Sequence, residues 1–377
     1  MLNSPQELPM NKHIERVILH TVHIPIEHEK VNCPAFASET LQRGPTGLMD
    51  GPWFGDQKLI IAQVQGSGMT GWGDLSRSID MTVAATLASK LLGIRLDEVD
   101  ANIDPINDAR VIRGLHTAAL DWAARLREIP LYAMFGQPVR DGIATAVWSG
   151  HRTPQGAARI AQAAAASGIE CLKLKSSLRA DDAAIARAVK EVVNDSFELV
   201  IDPNGRWENY EQAIPRAAAL REAYKHAWLE DPLYAKNDDV ARIARETEIP
   251  IIRTCIGSDA VKENMQALPS GFNLVGPWPA MLEASKEAHR HNLPFWGGSA
   301  ADTGLYDLAT IHFGTTQPGF TMAAELAGSQ VREHNLLSRP IRIIHGVAMV
   351  EHGPGMGIDI DLDALEHYRV GDPVIVQ

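Results

Sequence analysis

The sequence predicts an α/β fold, a (β/α) barrel joined to a second domain, and three observations predict it. The first is length: 377 residues exceed one ordinary domain and suit a barrel plus a companion. The second is rhythm. Short apolar runs at 144–148, 170–175, 198–202, 227–231, 250–254, 272–275, 293–296 and 320–324 alternate with segments of helical periodicity. The third is that several of these runs end in polar residues spaced two apart. Such residues share one face of a strand and would converge at one end of a parallel barrel.

The N-terminal elements are of another kind. Residues 14–26 read as a strand, and 58–65 as a second that runs into Gly66-Ser-Gly-Met-Thr-Gly, a turn of hairpin type. The intervening 28–57 is rich in Gly, Pro and polar residues, with Phe36, Trp53 and Phe54 embedded; a loop of that length carrying aromatics is expected to form a lid over an active site. Helical periodicity then runs over 82–135. Between the barrel strands, helices are expected at 154–167, 181–193 and 209–224. After Pro340, Ile341-Arg-Ile-Ile and Gly353-Pro-Gly-Met-Gly leave the barrel rhythm and are expected to rejoin the N-terminal part. The predicted division is therefore 1–138 completed by 340–377, and 139–339 for the barrel.

Composition narrows the function. A hydrophobic content of 45% supports a large core, and a formal charge of −12 argues against nucleic acid or an anionic membrane as partner. Small anionic substrates stay open, because paired lysines or a metal reverse the sign locally. Cys33, Cys171 and Cys255 lie far apart without ligand spacing, which suggests a reducing compartment. With no secretion signal at Met1-Leu-Asn-Ser and no bilayer-length apolar run, a cytoplasmic enzyme is expected.

The polar strand ends carry the chemistry. Lys173 and Lys175 alternate in one run, Asp202 and Asn204 in the next, and Glu230-Asp-Pro closes a third. Together with Gly71-Trp-Gly-Asp, Leu120-Asp-Trp-Ala, Pro130-Leu-Tyr-Ala-Met-Phe-Gly and Pro354-Gly-Met-Gly, they resemble the enolase superfamily over nearly the whole chain. The resemblance is to the mandelate racemase/muconate lactonizing enzyme family, nearest in motif to the glucarate dehydratase-like branch. It implies an α+β capping domain over a modified (β/α)8 TIM-type barrel, Mg²⁺, and removal of a proton next to a substrate carboxylate. Asp202 and Glu230 match the family's first two metal ligands, Lys175 its base, and Asn204 and Glu325 substrate-side positions. Lys173 would supply the neighbouring cation that lowers a lysine base toward neutrality and would contact the substrate carboxylate. The resemblance also implies a small carboxylic-acid substrate and homo-oligomeric association.

Two departures stand out. The fifth barrel strand should end in a third ligand, but Arg253-Thr254-Cys255-Ile-Gly-Ser-Asp259 offers Thr254, Cys255 or Asp259, of which a thiolate is too soft for Mg²⁺ and a hydroxyl weak. The sixth and seventh strands lack the family's Asp and His: Asn273-Leu-Val-Gly and Phe295-Trp-Gly-Gly-Ser299 stand there, with Asp302 as a substitute acid or a helix N-cap. Three functions follow: a dehydratase acting on a hydroxylated acid such as an acid sugar, a one-base racemase, epimerase or cycloisomerase, and a diverged, non-catalytic carboxylate-binding protein.

Overall fold

The computed structural model describes residues 12–36, 57–77, 79–102, 109–234, 236–299 and 301–377. Three antiparallel strands open the chain: β1 (Arg16–Val22), β2 (Leu59–Gly66) and β3 (Met69–Arg77). The β2–β3 connection is a two-residue hairpin. Ser67 and Gly68 both adopt positive φ (54° and 75°), the geometry that matches strand twist. Trp53 and Phe54 of the expected lid lie outside the described residues. The described start of that segment forms a short helix, α1 (His28–Val31), and a 3₁₀ turn, Pro34–Phe36.

The helical stretch expected over 82–135 is broken. It comprises α2 (Met81–Ala88), 3₁₀ turns at Ser89–Leu91 and Leu96–Glu98, α3 (Ala109–Leu126) and a last 3₁₀ turn at Leu131–Met134. Gly93, at φ 76°, ends the first part, because a positive φ cannot continue a right-handed helix. The long helix α3 lies directly on β3. A Cβ on Gly73 would fall 2.0 Å from the Gly114 carbonyl oxygen, and one on Gly71 2.2 Å from that of Ala118. Backbone thus rests on backbone, which glycine alone allows.

The barrel follows. Its strands are β4 (Gly142–Ser149), β5 (Cys171–Lys175), β6 (Glu198–Asp202), β7 (Ala227–Glu230), β8 (Ile251–Cys255), β9 (Gly271–Leu274), β10 (Phe295–Gly297) and β11 (Ala324–Glu325). Neighbours from β4 to β10 pair in parallel and in chain order, and β11 pairs in parallel with β4. A parallel bridge joins Phe295 of β10 to Phe320, in the segment leading into β11, so the round of eight strands closes. The eighth strand is shifted from the expected 320–324 toward Glu325, which carries that carboxylate to the mouth.

The first three crossover helices carry their own start signal. In α4 (Pro154–Ala166) the Thr153 hydroxyl accepts from the Gly156 N–H and Pro154 begins the first turn. Asp181 caps α5 (Asp182–Lys190) and Asn209 caps α6 (Tyr210–Ala223) in the same way. Their inward residues recur at helical spacing, as Ala157, Ala161 and Ala164 in α4 and Ala213, Ala217 and Leu220 in α6. The round is completed by α7 (Asn237–Thr247), α8 (Gly257–Asn264), α9 (Trp278–Arg290), α10 (Gly304–Thr316) and α11 (Ala327–Val331), the last barely more than one turn.

After the barrel the chain divides. The hairpin β12 (Ile343–Ile344) and β13 (Val347–Met349) pairs with β4 at the barrel's foot. Past α12 (Leu362–Tyr368), β14 (Val374–Val376) pairs antiparallel with β1, so the last residues rejoin the N-terminal sheet. Among the described residues no helix is long and apolar enough to cross a membrane.

Three of the motifs noted in the sequence meet at one buried carboxylate. Asp121 of α3 accepts from the Trp72 N–H (3.0 Å) and from the Met356 N–H (2.8 Å), and pairs with Arg125 (3.1 Å). The Gly-Trp-Gly, Leu-Asp-Trp and Pro-Gly-Met-Gly segments are therefore one structural junction.

Candidate active site

The site forms at the C-terminal end of the barrel because strand alternation points alternate side chains inward. On β5, Lys173 and Lys175 share the inner face, and their register neighbour on β6 is Asp202, paired opposite Lys175. The Lys173 ammonium is almost wholly buried and lies 2.8 Å from Glu230 Oε2, 2.8 Å from Glu325 Oε1 and 3.3 Å from Asp202 Oδ2. Lys175 is half-buried and donates to Asp202 Oδ2 at 2.6 Å. Two lysines and three carboxylates from four strands thus form one contiguous group.

Its electrostatics follow from burial and pairing. Burial alone would lower the Lys173 pKa, but Glu230, Glu325 and Asp202 outweigh it and hold the ammonium well above its ordinary range. Burial raises Asp202, yet Lys175 and Lys173 overcome this and bring it down to about 2. Glu230 goes the other way: burial and the nearby Asp202 charge push it up to about 8. Lys173 therefore serves three carboxylates at once, which is more than the contact to Lys175 and substrate expected of it.

Asn204 follows Asp202 with φ 48°, and its N–H donates to Asp202 Oδ1 (2.9 Å) while its own Oδ1 is buried without a hydrogen-bond partner. The third-ligand candidates separate cleanly. Asp259 is exposed on α8 and pairs with Lys262 (3.1 Å). Cys255 faces out of the barrel; its sulfur accepts from the Asn264 amide, and burial pushes its thiol up to about 12, which removes the thiolate. Thr254 alone stands on the site side, with Oγ1 3.5 Å from Glu230 Oε1. Between these inward residues, Arg253 turns outward to Asp231 (2.9 Å), so the Asp of Glu230-Asp-Pro ties adjacent strand ends together.

Asp302 sits in a separate buried cluster. Its charge acts on Arg113, Tyr306 and Asp307, and its carbonyl accepts from Arg332 (2.9 Å). Arg113 is packed there over the Trp278 and Tyr306 rings. The N-cap of α10 is Thr303, not Asp302.

Two site residues went unrecognised in the sequence. Asn273 of β9 donates to Glu230 Oε1 (2.9 Å). His151, two residues beyond β4, is fully buried and lies in the electrostatic field of Arg206, Lys175 and Asp202. The signal for both was the rule that exposed Lys175, a polar residue at or just past a barrel-strand end. The described part of the N-terminal loop covers this side. Arg152 donates to the Glu29 carbonyl (3.0 Å) and also to that of Asn32. Ser149 donates to Lys30 O, and Phe36 packs on the His151 ring (centroids 5.3 Å).

Among the described residues no group of three or more His, Cys, Asp or Glu is arranged to hold a metal. The donors present are nonetheless hard oxygens: buried Asp202 and Glu230 carboxylates, the Asn273 Oδ1, which has no partner, and the Thr254 hydroxyl beside Glu230. A site of two carboxylates completed by water and substrate suits Mg²⁺.

A family profile described as enolase C-terminal domain-like matches residues 156–364. Chloromuconate cycloisomerase of Pseudomonas putida is 24% identical over 83% of this chain and 91% of its own length. D-gluconate dehydratase of Thermoproteus tenax is 25% identical over 69% of this chain and 56% of its own. The solved structure of an N-succinyl Arg/Lys racemase from Bacillus cereus superposes with a TM-score of 0.81 at 16% identity, covering 97% of this chain and all of that one. At that identity the likeness speaks for the fold. The chain belongs to the enolase superfamily, within the mandelate racemase/muconate lactonizing enzyme family.

Proposed function

We propose that this protein is a hydro-lyase that removes water from a hydroxylated carboxylic acid, an acid sugar, using a single base. One observation carries the reading. Lys175 stands at the barrel mouth beside Asp202, while the strand ends across from it bear Asn273 and the Gly297-Gly298-Ser299 turn. Two-base racemisation needs a base on each face of the substrate, and dehydration does not.

Asp202 and Glu230 would hold Mg²⁺, which lends positive charge where the enolate of the substrate carboxylate develops. Lys173 keeps the surrounding carboxylates together. Lys175 acts from its neutral amine, which requires the pair with Asp202 to open. It takes the proton next to the carboxylate, and the C–H electrons pass into the enolate. Collapse of the enolate expels the neighbouring hydroxyl, and the ammonium of Lys175 returns its proton to the departing oxygen on the same face. Water leaves, and the enol product relaxes to a 2-keto acid. The same residue thus covers the acid role of the absent dyad.

A one-base cycloisomerase or epimerase is the second reading, favoured by the chloromuconate cycloisomerase that aligns over most of this chain. Incubation with Mg²⁺ and D-gluconate, D-galactonate or D-xylonate in D₂O separates them. Loss of water with a 2-keto product, abolished by Lys175→Ala and by chelation, is the expected outcome. Deuterium exchange without water loss would favour the second reading. No exchange, no water loss and no thermal shift with any acid would remove both. Homo-oligomerisation belongs to the same proposal and is checked by light scattering.

A further inference from the structure

We propose that Asp182 is a positioning residue for Lys175: its buried carboxylate clamps the Ser176 hydroxyl and so fixes the end of β5 from which Lys175 reaches Asp202. The inference rests on the reading of Lys175 as the base and extends it to what holds that base in place.

Ser176 follows Lys175 directly, is fully buried and is held from three sides. Its N–H donates to the Asp202 carbonyl (3.0 Å), and its hydroxyl lies 2.8 Å and 2.7 Å from the two Asp182 carboxylate oxygens. The His151 ring is hydrogen-bonded to its backbone. Asp202 is also the partner of the Lys175 ammonium, at 2.6 Å. The main chain of Ser176 and the side chain of Lys175 are thus fixed to one residue. The rest of the turn is tied down by Arg216 of α6, which donates to the Ala180 carbonyl (3.1 Å) and to that of Leu178.

The carboxylate of Asp182 is not spent on its own helix. Asp181 caps α5, accepting from the Ala184 N–H (2.9 Å), while Asp182, one residue on, is buried. A carboxylate out of water is costly unless hydrogen bonds offset the loss. Burial pushes this one up to about 7, and the cation that acts on it, Arg216, is committed to the two loop carbonyls. An apolar side chain would fill the place at less cost. The contact with Ser176 therefore accounts for a carboxylate here. A strand end pinned through the very next residue cannot swing, which keeps the Lys175 amine at Asp202 until substrate parts them.

The test is competitive labelling of the full chain with trace acetic anhydride at mildly alkaline pH, read by mass spectrometry. Lys175 is compared with Lys190, which is exposed on α5 and serves as internal reference. Ser176→Ala combined with Asp182→Leu removes both partners at once, so no buried polar group is left unpaired. Asp182→Asn keeps the size of the side chain and an acceptor for the hydroxyl. Expected is labelling of Lys175 about tenfold faster, relative to Lys190, in the double variant, because an amine released from Asp202 loses a charged hydrogen bond. Asp182→Asn should label as wild type does. Ser176→Ala alone, the smallest change, should move Lys175 in the same direction and carries the test if the double variant does not fold. Equal labelling of Lys175 in wild type, Ser176→Ala and the double variant overturns the proposal. So does equal acceleration in Asp182→Asn and the double variant, which would make the charge of Asp182, rather than its hold on Ser176, the governing feature. The labelling needs no substrate, so its failure is distinct from a failure of the hydro-lyase reading, which shows as inactivity toward every acid.

Discussion

Lys173 is the residue on which the site's charge balance turns. It is the ammonium within 3.3 Å of Asp202, Glu230 and Glu325 alike, in a place water scarcely reaches. Lys173→Met would leave buried carboxylates unpaired, and loss of stability by about 3–5 kcal/mol is expected in urea unfolding at neutral pH. Glu230 allows a signed prediction. Its folded pKa, about 8, lies above the ordinary 4.5, so between those values the folded chain keeps a proton that the unfolded chain has released. Its contribution to stability is complete below 4.5 and declines as pH rises to about 8. Metal-free Glu230→Gln should therefore lose less stability than wild type on going from pH 5 to pH 8, measured by thermal unfolding. Equal losses would show that Glu230 is ionised across that range. Asp202 works in the opposite sense: its contribution is present above 3.8 and fades only as pH falls through about 2.

At the scale of elements, the seat of α3 on β3 decides how the N-terminal sheet meets the barrel. Gly73 and Gly114 let the two backbones touch, and Asp121 then bonds β3 and the Met356 segment to the same helix. Gly73→Ala would force a methyl into the Gly114 carbonyl, which cannot move without the helix. A cost of about 1–3 kcal/mol is expected, with α3 displaced rather than unfolded. Denaturant midpoints check the cost, and unchanged far-ultraviolet circular dichroism checks that the helix persists. Gly73 and Asp121 were legible in the sequence as family motifs and Gly114 was not, and the purpose of none was, since a contact between backbones leaves no chemical signature in residue type.

The whole molecule is tied shut at two places. The barrel closes through β11 on β4 and the Phe295–Phe320 bridge, and the N-terminal sheet closes through β14 on β1. Removing 370–377 deletes β14 and exposes the β1 edge. Expected are a small fall in melting temperature and concentration-dependent association, seen by light scattering, because an unpaired strand edge templates pairing with another chain. A truncated chain that stays monomeric would mean the edge is covered by something other than β14.

The sequence by itself determined the alternation of eight barrel strands, the last of them displaced, three of the helices between them, and the lysine and carboxylate series at their ends. Each is a local periodicity or a local alternation, readable wherever side-chain direction follows position. Only the tertiary structure decided which third-ligand candidate stands at the site. Thr254, Cys255 and Asp259 differ by strand face and helix position, and one of them alone points inward. It likewise set Asp302 in the Arg113 cluster and brought Asn273 and His151 in. Those four placements depend on how distant strand ends meet around the barrel. That meeting is a property of closure and packing, and no single stretch of chain encodes it.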